Sequence, residues 1–149
     1  MMKFRFAAAI LAFYPMAAHA TESPWTGTWK LAPARSSPGA DGAPPAYVLA
    51  ITADRRIRWE IPSIGEVVTG HIDGQPMVVH RTKPTPGLTL SVFSSDPALP
   101  HELAYKVEKN GTQIGGGRMI LIEGGKAWVD ISWAAGKEEY GAELVYVRS

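Results

Sequence analysis

Apolar and polar residues alternate in short segments along most of the chain, as they do on strands with one buried face. Residues that favour turns separate these segments at intervals of roughly 8 to 12 residues. No stretch of helical length keeps the apolar period of about 3.6 residues that an α-helix requires. The pattern predicts ten strands, at residues 25–31, 46–53, 57–61, 65–72, 76–81, 88–94, 101–109, 112–123, 126–135 and 139–148.

Three turn signals in the C-terminal half predict how the later strands pair. Two-residue turns at Asn110-Gly111, Gly124-Gly125 and Gly136-Lys137 each fix the register of one pair of strands. The three registers agree with one another, since they place the apolar residues of these strands on one common face. Pairing Ser94 with His101 extends this face by one strand. The predicted inner face contains Leu88, Leu90, Val92, Leu103, Tyr105, Val107, Ile114, Ile120, Ile122, Val129, Ile131, Trp133, Tyr140, Leu144 and Tyr146. We therefore expect an all-β fold, a single antiparallel up-and-down β-barrel of about 8 to 10 strands.

Two places in this pattern strain the predicted sheet. Gly115, Gly116 and Gly117 interrupt a strand, which predicts a bend, a bulge, or an aromatic ring from the next strand lying across the backbone, with Tyr105 and Trp133 placed for that. Asp130 and Glu143 fall opposite each other on the outer face, which is unfavourable for like charges. Either the two carboxylates are splayed in water or the register slips.

The region between the first two strands, residues 32–45, is rich in proline and glycine, which rules out an α-helix. We expect a long loop at one end of the barrel, either a lid over an entrance or a flexible connection.

The first twenty residues have the pattern of a secretory signal. Lys3 and Arg5 precede an apolar run, and Ala18-His19-Ala20 provides the small-x-small motif of a cleavage site. We expect residues 1–20 to be a signal peptide and residues 21–149 to form the barrel domain, in the periplasm or secreted. The run is too short for a membrane span, and the chain has no cysteine to carry a lipid anchor or form a disulfide.

Composition narrows the range of partners. Removal of residues 1–20 leaves 13 basic and 14 acidic residues, so the mature domain has no strong field for nucleic acid or anionic membrane. The one basic cluster, Arg55, Arg56 and Arg58 beside Trp59, is either a solvated rim or a partner surface. His71 and His80 are too far apart in the predicted register to share a metal ion, so we expect no metal and no cofactor.

The segment Gly27-Thr28-Trp29-Lys30-Leu31 and the late Gly-x-Gly-Arg stretch ending at Arg118 resemble small secreted bacterial lipocalin-like domains of the calycin superfamily. This resemblance covers residues 25–149. It implies that Gly27 and Trp29 close one end of the barrel, with Arg148 packed on the indole. The chain departs from the fatty-acid-binding proteins in two places. Those proteins insert two helices after the first strand, which the prolines and glycines of residues 32–45 exclude, and their last strand carries Arg-x-Tyr, whereas this chain has the reversed order Tyr146-Val147-Arg148. Their ligand residues are therefore not carried over.

The predicted inner face also contains Arg118, between Leu103 and Ile131. Because a buried charge needs a partner, one hypothesis is that Arg118 binds the acidic head of an apolar ligand. The hydroxyl partners would be Tyr105, Tyr140 and Tyr146, and Trp133 would line the site. The alternatives are that a bulge at the triple glycine turns Arg118 outward, or that it pairs with an internal acid.

The sequence has no cysteine nucleophile, Gly-x-Ser-x-Gly motif or spaced pair of carboxylates, so we expect no enzyme. The expected function is binding of a small apolar or amphipathic ligand inside the barrel. The alternative is a non-enzymatic interaction module, for example an inhibitor of a secreted enzyme, with a packed interior.

Overall fold

The computed structural model describes residues 22–94 and 101–149. The predicted signal peptide and its cleavage site lie outside these residues. The described residues form ten strands, each overlapping a predicted one: β1 (Gly27–Leu31), β2 (Ala46–Ile51), β3 (Arg56–Ile61), β4 (Glu66–His71), β5 (Met77–Val78), β6 (Leu88–Phe93), β7 (Glu102–Lys109), β8 (Thr112–Ile122), β9 (Ala127–Ala134) and β10 (Ala142–Arg148). In the described part of the chain, no helix reaches the length and hydropathy that a membrane crossing needs.

The strands form one antiparallel up-and-down sheet that is nearly closed into a barrel, as predicted. Its order is β4-β3-β2-β1-β10-β9-β8-β7-β6-β5, so the first and last strands are neighbours. The remaining gap lies between β4 and β5. There the backbones of Val67 and His80 exchange hydrogen bonds of 2.8 and 3.1 Å.

The turn at Asn110-Gly111 forms as predicted, since both residues adopt the positive φ that such a turn needs and Lys109 faces Thr112. The register then shifts by one residue, because Ile114 forms a bulge in β8. Val107 consequently faces Gly115, and Leu103 faces Met119. The prediction of a regular ladder beyond the turn was wrong, and the alternative of a bulge beside the triple glycine is confirmed.

This shift exchanges the two faces of β8 and β9 relative to the prediction. The pairing between these strands is as predicted, with Arg118 opposite Ile131 and Ile120 opposite Val129. The inner face, however, consists of the alternate residues, whereas several predicted inner residues lie on the outer face. These outer residues are Ile114, Arg118, Ile120, Ile122, Val129, Ile131 and Trp133.

A second shift restores the predicted inner face in β10. The predicted two-residue turn at Gly136-Lys137 was wrong, because the connection extends over residues 135–141 and includes a 3₁₀ turn, Glu138–Tyr140. Val145, and not Leu144, therefore faces Val129. Leu144 and Tyr146 point inward as expected.

The core lies inside the barrel. It contains Trp25, Trp29, Tyr47, Leu49, Ile57, Trp59, Ile61, Val68, Ile72, Met77, Val79, Leu88, Leu90, Val92, Leu103, Met119, Leu121, Trp128, Leu144 and Tyr146. Burial of this apolar surface is the main force that holds the sheet closed.

One end of the barrel is closed by tryptophans. Trp25 and Trp29 each contact Trp128, with ring centroids 6.4 and 6.3 Å apart. The guanidinium of Arg148 lies 4.2 Å from the centroid of Trp29, which is the pairing that the lipocalin resemblance implied. Gly27 is required beside it, because a Cβ there would come within 2.5 Å of the Arg148 side chain.

Residues 32–45 lie at the opposite end and contain two 3₁₀ turns, Pro33–Arg35 and Ala40–Gly42. The segment is attached to β10, since the hydroxyls of Ser36 and Ser37 accept hydrogen bonds from that strand's backbone at 2.9 and 3.0 Å. Its alanines at 40 and 43 pack against the core. The loop thus lies on the barrel rim rather than extending away from it.

Candidate functional site

The five residues predicted to bind a ligand do not come together. Arg118 lies outside, where it forms an ion pair of 2.6 Å with Glu102. Trp133 is on the outer face of β9, and Tyr140 is 76% exposed in the loop before β10. Their predicted inward orientation was wrong because of the two register shifts. Tyr105 lies on the inner face of β7 as predicted.

Tyr105 and Tyr146 instead lie in a different cluster inside the barrel. The phenol of Tyr105 donates a hydrogen bond of 2.9 Å to Oδ1 of Asp130 on β9. The phenol of Tyr146 donates one of 2.9 Å to the carbonyl of Pro44 in the rim loop. Because Tyr105 and Tyr146 alternate with outward residues on their own strands, the sheet pleat places both hydroxyls inside.

Aromatic rings pack against one another beside Asp130. Trp128 stacks on Tyr146 with centroids 4.4 Å apart. Tyr47 packs edge-on against Trp59, Trp128 and Tyr146 at 5.2, 5.4 and 5.0 Å, and Trp59 contacts Tyr105 at 5.7 Å. We call Tyr47, Trp59, Tyr105, Trp128, Asp130 and Tyr146 the interior cluster.

Asp130 is 3% exposed, and burial raises the pKa of its carboxyl from 3.8 to about 7. Burial penalises the charged form, and the hydrogen bond from Tyr105 offsets only part of that penalty. At neutral pH the carboxyl is therefore divided between its acid and its anion. The pKa values of Tyr47, Tyr105 and Tyr146 are also raised, mainly by burial and to a smaller extent by the negative charge of Asp130. The three phenols therefore remain neutral donors.

The interior cluster has hydrogen-bonding capacity that its protein neighbours do not use. No described residue donates a hydrogen bond to Oδ2 of Asp130. The indole N–H groups of Trp59 and Trp128 are buried, and neither finds an acceptor within the described residues. Buried polar groups are nearly always satisfied in folded proteins, so each exception calls for an explanation.

The cluster is closer to solvent at the end that carries the rim loop. The inner-face residues toward that end of β1, β7, β8 and β9 are only partly buried, and they are Leu31, Tyr105, Val107, Gly115 and Ser132. At the other end, the three tryptophans block the barrel. Several partly buried inner-face residues therefore lie at the end that carries residues 32–45.

One further inward carboxylate lies near the rim. Glu66 is 6% exposed and forms an ion pair of 2.7 Å with Arg81, whose side chain is one-third exposed. The opposite charges of Glu66 and Arg81 therefore balance each other. Among the described residues, Asp130 has no basic partner within ion-pairing distance.

The basic cluster noted in the sequence is mostly neutralised locally. Arg56 pairs with Asp54 and Arg58 with Glu60, while Arg55 donates to the carbonyl of Ile72. Trp59 is not part of this surface, because it lies in the core. In the described part of the chain, no group of three metal-ligating side chains comes together.

Sequence reasoning missed Asp130, Tyr47, Trp59 and Trp128 as site residues. One signal pointed to Asp130: its clash with Glu143 in the predicted register. The structure resolves that clash by both shifts: the bulge at Ile114 turns Asp130 inward, and the slip of β10 places Glu143 opposite Ile131. A comparison of the chain with models of known families and with curated proteins found no match.

Proposed function

We propose that this protein binds a small apolar or amphipathic molecule inside the barrel. The observation that carries the proposal is the half-satisfied carboxyl of Asp130, buried beside aromatic rings. An apolar pocket with a few convergent polar groups is the usual form of a small-molecule site. Tyr105, Tyr146 and Asp130 would supply the polar contacts, and Trp59 and Trp128 the apolar ones.

The proposal includes neither a catalytic step nor a cofactor. The lipocalin-like resemblance of the Gly27-Thr28-Trp29 segment supports it, because barrels of that type hold ligands between a closed and an open end. The signal-like first twenty residues support a periplasmic or secreted location. Localisation is tested by fractionating the host and sequencing the N-terminus of the protein, which we expect to begin after Ala20.

Native mass spectrometry of protein purified from its own host tests the binding. We expect a co-purifying mass of lipid or metabolite size. A matched pair of variants then locates the site. Ser132→Phe places a ring on the inner face beside the rim, whereas Ile131→Phe places one on the outer face.

We expect Ser132→Phe to lose the bound mass and Ile131→Phe to retain it. Equal retention by both variants, or no bound mass in wild-type protein together with no binding of added amphiphiles, would contradict the proposal.

A second candidate, a protein-interaction module, is favoured by the outer face of the β8–β9 hairpin. Ile114 is 48% exposed at the bulge, and Tyr140 is 76% exposed in the neighbouring loop. Apolar side chains exposed together mark interaction surfaces in many proteins. If this candidate is right, a bound protein and not a small molecule accompanies the wild type, and Ile114→Ser with Tyr140→Ser releases it.

A further inference from the structure

The carboxyl group of Asp130 is buried beside several aromatic rings, and this combination has a specific chemical preference. We propose that the ligand of the barrel carries a protonated amine, which pairs with Asp130 among the rings of the interior cluster. This inference rests on the proposed function and adds the chemical class of the ligand. It replaces the acidic head group that the sequence hypothesis assigned to Arg118.

The first argument is the unused oxygen of Asp130. Tyr105 occupies Oδ1 at 2.9 Å, and no described residue donates to Oδ2. An ammonium group carries three N–H donors and can use this oxygen directly. The resulting hydrogen bond between opposite charges is roughly twice as strong as a neutral one.

The second argument is the set of aromatic groups around the carboxylate. The ring of Tyr47 contacts the rings of Trp59, Trp128 and Tyr146. The ring of Trp59 also contacts that of Tyr105. Aromatic faces are electron-rich and attract cations within about 6 Å of the ring centroid. A carboxylate beside aromatic rings therefore favours a cation over an anion of the same size.

The third argument is the sign of the charges inside. Among the described residues, the two deeply buried acids of the inner face are Asp130 and Glu66, and Glu66 already pairs with Arg81. Arg118, the predicted receptor for an acid, is outside with Glu102. A fatty acid would therefore place its carboxylate beside Asp130 without a cation from the described residues, which is strongly unfavourable in a buried site.

The groups that face Asp130 or lie near it are Tyr105 on β7, Tyr47 on β2, Tyr146 on β10 and, farther away, Glu66 on β4. The phenols stay neutral through the physiological range. Asp130 is thus the group whose ionisation controls the binding of a cation. Because its pKa is raised to about 7, the amine should bind more tightly at pH 8 than at pH 6, and binding should release protons near pH 7.

The experiment compares three probes with one alkyl chain and different head groups: octylamine, octanol and octanoate. Affinities are measured by calorimetry and by tryptophan fluorescence at pH 6 and pH 8. At pH 8 we expect octylamine to bind at least about tenfold more tightly than octanoate. In Asp130→Asn, octylamine should lose about tenfold in affinity while octanol changes by less than about twofold.

Two further variants keep the result interpretable. Tyr105→Phe retains the ring and the carboxylate, so it should preserve the preference for the amine. Glu143→Gln removes an exposed charge on the outer face of the same sheet and should leave all three affinities unchanged.

The outcomes separate the two proposals. Octanoate or octanol binding as tightly as octylamine overturns the inference and leaves ligand binding intact. An amine preference that persists in Asp130→Asn, with octanol binding retained, also overturns it. Failure of all three probes to bind wild-type protein contradicts both proposals.

Discussion

The ring of Tyr105 lies across Gly117 on the neighbouring strand, where a side chain would leave no room for it. A Cβ on Gly117 would come within 2.5 Å of the Tyr105 hydroxyl oxygen. This close approach lets Tyr105 reach Asp130 on the strand beyond. The expectation that an aromatic ring crosses the triple glycine is confirmed for Tyr105. The glycine thus contributes to the site without touching a ligand.

Gly117→Ala should displace Tyr105 and break its hydrogen bond to Asp130. We expect a loss of about 1–3 kcal/mol in the free energy of unfolding, as for other overpacked cores. The pKa of Asp130 should rise further, because the bond from Tyr105 lowers it. Chemical denaturation measures the stability, and NMR titration of the carboxyl measures the pKa.

Gly42→Ala is the matched control, since a Cβ at Gly42 meets nothing within 4 Å. Equal stabilities of the two alanine variants would contradict the steric role assigned to Gly117.

Asp130→Asn should stabilise the protein relative to wild type, and this gain should be larger at high pH than at low pH. The raised pKa means that the folded state holds a proton that the unfolded state has lost, between pH 3.8 and about 7. The contribution of Asp130 to the free energy of unfolding of the wild type therefore decreases as the pH rises through that window, and it stays constant at higher pH. Asparagine does not ionise, so the variant should gain up to about 4 kcal/mol over wild type at pH 8 and less at pH 5.

Urea denaturation at pH 5 and pH 8 checks this prediction, with Glu143→Gln as an exposed control. A stability difference between Asp130→Asn and wild type that is the same at both pH values would contradict the raised pKa of Asp130.

Much of the fold could be predicted from the sequence because strand alternation and turn residues are local signals. The errors in β8, β9 and β10 came from two features that such signals do not encode, while the predicted pairing of Ser94 with His101 was wrong by two residues, since Val92 faces Tyr105. The bulge at Ile114 depends on how β8 fits against β7, and the 135–141 loop depends on how β9 and β10 meet. The two shifts compensate in β10, so the predicted inner face was right there and wrong in β8 and β9.

The candidate site was missed for the same reason. Val129, Ile131 and Trp133 form the more apolar face of β9, and apolar faces are normally buried. The true inner face carries Trp128 and Asp130, and an acid in the core is unfavourable unless something pairs with it. Function, and not packing, is the usual reason for such an exception. The Asp130–Glu143 clash was the sequence signal for this exception.

Arg118→Ala tests the corrected position of that residue. Its ion pair with Glu102 is on the outer face, and the Arg118 side chain is 47% exposed. Exposed pairs contribute little, so we expect a stability change below about 1 kcal/mol. Binding of amphiphiles, measured by tryptophan fluorescence, should stay within about twofold of wild type. A loss of more than about tenfold would restore the original hypothesis of an acid-binding arginine.

Arg148→Met should weaken the closed end of the barrel without affecting the ligand end. The guanidinium of Arg148 covers Trp29 and donates hydrogen bonds to the carbonyls of Pro24 and Thr26 at 2.7 Å and of Gly125 at 3.2 Å. Methionine keeps the stem but removes both the cation and the donors. We expect a loss of about 1–3 kcal/mol in the free energy of unfolding, measured by denaturation. Arg58→Met, which breaks only the exposed pair with Glu60, should lose much less, and equal losses would show that Arg148 acts as an ordinary surface charge.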